Sequence, residues 1–189
     1  MKKILIIALL SVMPLLSVAA PNPADVSAVA GTPALLGDKI DGMNDADAAD
    51  FTKAAIDAIE ANGDLSDAEK EALVLDIVTR YTVLAGDNAA TRLGELVKRL
   101  GAYDRMGLVT AAAMIASGDN ASAVKDAILA NIADADTLAD ATAAAGDPSA
   151  ALGGTSSGDE GGTHLSALRS LLATIGAAGA AAETYEGQE

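Results

Sequence analysis

The sequence predicts an all-α fold: a small helical bundle or short helical-hairpin array of roughly six helices, plus a linker-tethered C-terminal amphipathic helix. Three observations carry this. Alanine supplies 44 of the 189 residues, and it favours helix because it loses no side-chain rotamer freedom there. Apolar residues recur at helical spacing, and nowhere do strand-forming residues alternate with a period of two. Similar breakers separate the periodic stretches: Gly86-Asp87-Asn88, Gly118-Asp119-Asn120 and Gly146-Asp147-Pro148, whose glycines lie 32 and 28 residues apart. Glycine accepts the positive φ of a helix end, and Asp or Asn caps the helix that follows.

Taken in order, residues 20–46 read as an irregular N-terminal arm. Pro21, Pro23, Pro33, Gly31, Gly37 and Gly42 leave room for at most a short helical turn near Val26 to Leu36. A helical domain follows over 47–145. Its first helix places Phe51, Ala54, Ala55, Ala58 and Ile59 on one face and stops at Asn62-Gly63-Asp64. Its second opens with a capping box, Ser66-Asp67-Ala68-Glu69, in which each end residue bonds the other's backbone. The buried stripe of that helix is read as Leu73, Val74, Ile77, Tyr81 and Leu84. The third carries Leu93, Leu96, Val97 and Leu100 and ends at Gly101. The fourth uses Met106, Val109, Ala113 and Ala116, the fifth Val124, Ala127 and Ile128, and the sixth Leu138, Ala141 and Ala145. Residues 146–163 read as a Gly/Ser-rich linker. Residues 164–189 read as a helix with Leu165, Leu168, Leu171, Leu172 and Ile175 on its apolar side, then an acidic tail.

The first nineteen residues have the plan of a secretory signal peptide. Lys2 and Lys3 precede the apolar run Ile4 to Leu16, and Ser17-Val18-Ala19 offers small residues for cleavage after Ala19. The run is too short to span a bilayer comfortably. The expectation is a bacterial, Sec-type periplasmic or secreted protein with no membrane span once the signal is removed.

Composition excludes several chemistries. There is no Cys and one His, so disulfides, thiolate zinc sites and cysteine nucleophiles are absent. The formal net charge of −15 deepens by two when Lys2 and Lys3 leave. Such a chain repels phosphate backbones, so nucleic acid is not an expected partner.

Two short motifs resemble catalytic ones without their context. Gly154-Thr155-Ser156-Ser157-Gly158 fits G-x-S-x-G, yet glycine-rich chain surrounds it where a nucleophile elbow needs a strand and a helix. Ser122-Ala123-Val124-Lys125 fits S-x-x-K, but S-D-N and K-T-G are both missing. No catalytic set is therefore expected. The loop Glu60 to Glu69 resembles an EF-hand loop shortened by two residues: Glu60, Asn62 and Asp64 take the first, third and fifth ligand positions, and Glu69 the bidentate one. The glycine of the sharp turn and the carbonyl ligand after it are missing. A second acidic run holds Asp38, Asp41, Asn44, Asp45, Asp47 and Asp50. The functional expectation is an exported acidic helical protein without catalytic machinery, acting as a protein-interaction or structural module with an unknown protein partner. The alternative is a Ca²⁺-binding helical protein using Glu60, Asn62, Asp64 and Glu69.

Overall fold

The computed structural model describes residues 20–153 and 162–185, the latter with side chains from 164 to 176. The stretch 1–19, read as a signal peptide, and the G-x-S-x-G segment lie outside the described residues. The fold is all-α, and no strand occurs among the described residues.

Residues 20–46 correct the sequence reading. They form α1 (Pro23–Gly31), a 3₁₀ turn at Pro33–Leu35 and α2 (Leu36–Ile40). Pro23 sits in the first turn of α1, where its missing N–H costs nothing and its fixed φ suits a helix. Asn22 accepts from the Ala24 N–H at 3.1 Å and caps that turn. Val26, Val29, Leu36 and Ile40 are buried, so this segment belongs to the core.

The central helices are α3 (Asp45–Glu60), α4 (Asp67–Ala85), α5 (Ala89–Leu100), α6 (Met106–Ala116), α7 (Ala121–Ala130) and α8 (Ala135–Gly146). A short α9 (Pro148–Ala151) and a long α10 (Gly162–Tyr185) complete the chain. The stretch read as linker thus begins with a turn of helix, capped by Asp147 accepting from the Ala150 N–H at 2.9 Å. Leu152, just after it, is completely buried.

The helices form two layers. Those adjacent in each layer are two apart in the chain: α1, α3, α5 and α7 in one, α2, α4, α6 and α8 in the other. Consecutive helices pack across the layers, α3 on α4, α4 on α5, α6 on α7, and α7 on α8. Two of the crossings, α4 to α5 and α6 to α7, use the same turn, Gly-Asp-Asn in 3₁₀ form, with Gly86 at φ 51° and Gly118 at φ 53°. Both glycines adopt the left-handed region that side-chain-bearing residues avoid.

The core between the layers is built from Ile56, Ile59, Ile77, Tyr81, Leu93, Leu96, Met106 and Ile128, with Ala48, Ala49, Ala55, Ala111, Ala112 and Ala113 filling between them. Four buried threonines, Thr52, Thr79, Thr82 and Thr110, each donate to the carbonyl four residues back, at 2.7 to 2.8 Å. That bond satisfies a hydroxyl that would otherwise be stranded away from water. Charge joins α5 to α3: Arg92 Nε lies 2.8 Å from Asp45, and Arg99 pairs with Asp50. Leu84, read as part of the buried stripe of α4, is instead half exposed and lies over Gly37, its methyls 3.5 and 3.6 Å from where a Cβ there would stand.

Candidate functional site

Three of the four residues read as cation ligands, Glu60, Asn62 and Glu69, have side chains already engaged by the protein itself. Glu60 closes α3, and its Oε1 accepts from the Tyr103 hydroxyl at 2.6 Å. Its carbonyl accepts from Lys70 Nζ at 2.9 Å. Asn62 Oδ1 accepts from the Asp64 N–H at 2.9 Å, closing a local turn. Glu69 Oε2 accepts from the Ser66 N–H at 2.8 Å and from its hydroxyl at 2.6 Å, while Ser66 caps α4. These bonds from Ser66 hold the Glu69 carboxyl below its ordinary pKa. Ca²⁺ coordination here would require Glu60 and Glu69 to give up these partners. Among the described residues, no group of three or more His, Cys, Asp or Glu is placed to hold a metal ion.

The run from Asp38 to Asp50 is likewise used in the fold. Asn44 caps α3 by accepting from the Asp47 N–H at 2.9 Å, and it donates to the Asp47 carboxylate at 2.7 Å. Asp45 and Asp50 meet the arginines of α5.

The sequence reading did not identify a cleft of about 470 Å³ where α4, α6, α8, α9 and α10 converge. Glu71, Asp104, Arg105, Asp140, Asp147 and His164 supply its charged lining, and Ala143, Ala144, Ala150 and Ala151 its apolar wall. Asp140 projects from α8 onto the start of α6 and accepts from the Gly107 N–H at 2.7 Å. A carboxylate there meets one of the free N–H groups of the first helical turn and the positive end of the helix dipole. A Cβ on residue 107 would come within 2.7 Å of that carboxylate and displace it.

Arg105 spans the gap from this cleft to the α3–α4 loop. Its Nη2 is 3.2 Å from Asp67 and its Nε 3.5 Å from Glu60 Oε1. That Nε is buried and makes no hydrogen bond. Tyr103, beside it, is half-buried against Glu60, and burial followed by that hydrogen bond pushes its phenol well above the usual range. His164 Nε2 lies 3.1 Å from Glu71 Oε2 and ties the first turn of α10 to α4. The sole imidazole of the chain is therefore half-buried at a helix junction.

The cleft offers carboxylates, one guanidinium and one imidazole. Its described lining contains no hydroxyl or thiol to act as a nucleophile. Ser122 and Lys125, the S-x-x-K pair, stand away from it on α7, with Ser122 exposed and Lys125 Nζ 3.9 Å from Asp126. No helix among the described residues is long and apolar enough to cross a membrane. Comparison with family models, with curated proteins and with solved structures finds no match to this chain.

Proposed function

We propose that this chain is an exported, non-catalytic helical protein that acts by binding another protein. The observation that carries the reading is the way α10 is held. It packs chiefly on one helix, α4, and reaches it through a glycine- and serine-rich stretch at 153–162. A helix seated on a pre-formed helical array, with a glycine- and serine-rich sequence before it, is built like a bound ligand. The acidic surface adds selectivity, because charge complementarity steers encounter toward basic or neutral surfaces and against acidic ones. Export rests on the residues of the signal-like leader, and its test is N-terminal sequencing of the protein recovered from the periplasm or medium, with Ala20 as the expected first residue.

Binding is tested with a photo-crosslinking residue in place of Leu84, the half-exposed leucine beside α10. The same residue in place of Ser122 on α7 serves as control. A discrete protein adduct at position 84 and none at 122 supports the reading. The absence of any adduct at either position, in cells expressing the protein from its own promoter, refutes it.

A further inference from the structure

Among its described side chains, 164 to 176, α10 is held by a narrow set of contacts. Leu168 is completely buried and Leu165 nearly so, while Leu172 and Ile175 are half-buried. These four side chains follow a 3-4-3 spacing, which is one stripe of an amphipathic helix. Two polar contacts set the register: His164 Nε2 to Glu71 Oε2 at 3.1 Å, and the Leu165 N–H to the Leu152 carbonyl at 3.3 Å. Because His164 sits opposite Glu71, and Ile175 beside Arg80 and Leu84, α10 runs parallel to α4. At its far end the fit is loose. Ile175, Leu84, Gly37, Ala34 and Arg80 enclose a gap of about 80 Å³.

The Leu165 N–H donates to the Leu152 carbonyl, so the two ends of the connection meet. Such a connection holds α10 near its seat at an effective concentration on the order of millimolar. α4 does not depend on it for support, since α2, α3, α5 and α6 also pack on that helix.

We propose that the face of α4 beneath α10 is a binding site for an amphipathic helix with Leu or Ile at 3-4-3 spacing. α10 is its resident, tethered ligand, and a partner protein's helix of the same pattern displaces it. The partner half of this proposal rests on the protein-binding reading above; the exchange of α10 does not.

The test uses the full mature chain with a specific protease site substituted for Thr155–Glu160. The chain is folded first and nicked afterwards. A fluorescent peptide of residues 162–189 is then titrated into nicked and uncut protein and followed by anisotropy. The expected result is saturable uptake by the nicked chain, and binding to the uncut chain weaker by about 100-fold, because the tethered copy outcompetes the free one. A peptide carrying Leu168→Asp should bind at least ~10-fold more weakly than the natural one, since a charge then replaces a buried anchor. Failure of the natural peptide to enter the nicked chain makes α10 a fixed part of the core and overturns the proposal. So does equal binding to nicked and uncut chains, which places the peptide elsewhere. Exchange without any captured partner leaves the site standing and removes the protein-binding reading; a crosslinked partner without exchange does the reverse.

Discussion

Replacing Leu168 separates two pictures of this molecule, one in which α10 is a removable helix and one in which it is core. Leu168 is completely buried. Burying a leucine side chain contributes roughly 1.5–3 kcal/mol, so Leu165 and Leu168 together supply about 3–6 kcal/mol of gross docking energy. An isolated helix of this length is marginal in water, so part of that gain is spent on ordering it. Leu168→Ala in an undivided core costs about 2–5 kcal/mol. In a docked helix the loss to the whole fold is capped at the net docking free energy, because α10 leaves its seat instead. A local loss of about 2.7 kcal/mol lowers the docked-to-free ratio roughly 100-fold. Hydrogen exchange read by mass spectrometry resolves the cases. The expected outcome is that amides of residues 165–176 lose about two orders of magnitude of protection, while those of α6 around Val109–Ala113 keep theirs. Loss of protection spread evenly over α4, α6 and α8, or no loss in α10, refutes the reasoning.

Three further outcomes follow from particular contacts. Ser66→Ala should raise the Glu69 pKa toward its ordinary value, as read by NMR titration of that side chain; in the native chain the lowered value contributes stability above the unfolded pKa that is lost as pH falls through the folded one. Tyr81 and Tyr103 are both held neutral, by burial first and, for Tyr103, by its bond to Glu60; their stabilisation is complete below about pH 10 and declines at higher pH as the unfolded phenols ionise. Tyrosinate absorbance from those two rings should therefore appear together with the loss of helical circular dichroism, and Tyr103→Phe should cost about 1–2 kcal/mol by stranding Glu60. Gly176→Ala, in open space on α10, should stabilise by about 0.5–1 kcal/mol, whereas Gly107→Ala should bring no gain, because the new methyl displaces Asp140 from the start of α6. Equal stabilisation by both, in chemical denaturation, would refute the role given to Asp140.

Much of the fold is legible in the sequence because its signals are local. The capping box at Ser66 and Glu69, the stop at Gly101 with φ 63°, and the glycines of the two Gly-Asp-Asn turns all fall at helix ends. The segment 20–46 is helical where its prolines predict an irregular arm, because proline breaks a helix in its middle and starts one in its first turn. Asn22 before Pro23 is the sequence signal for the second case, and Val26 and Val29 are its buried face. Leu84 lies on the predicted stripe yet is half exposed, because helical spacing marks a stripe without saying where its partner helix ends. The charged cleft was not legible, since Glu71, Asp104, Asp140 and His164 come from separate elements and only packing brings them together. The Glu60–Glu69 loop shows the limit of motif reading. The acids are where the pattern asks, yet a capping hydroxyl and a tyrosine on a distant loop hold two of them.

The layered contacts explain why a tethered helix can be released without cost to the rest. Each helix from α3 to α6 buries its apolar side against neighbours two positions before and after, and against one or two across the layer boundary. In such an array the free energy resides in near-neighbour interfaces, so removing one element costs the interface it made and leaves the others intact. α10 makes its main interface with α4 alone. The ion pairs that brace the array, Arg92 with Asp45 and Arg99 with Asp50, lie between α5 and α3 and do not involve it. Among the described residues, only the His164–Glu71 contact crosses to α10. That pair is partly exposed, with 22% and 36% of its side chains accessible, where an ion pair is worth about 0–1 kcal/mol. The leucine stripe therefore carries the affinity, and the histidine contact sets the register in which any competing helix must lie.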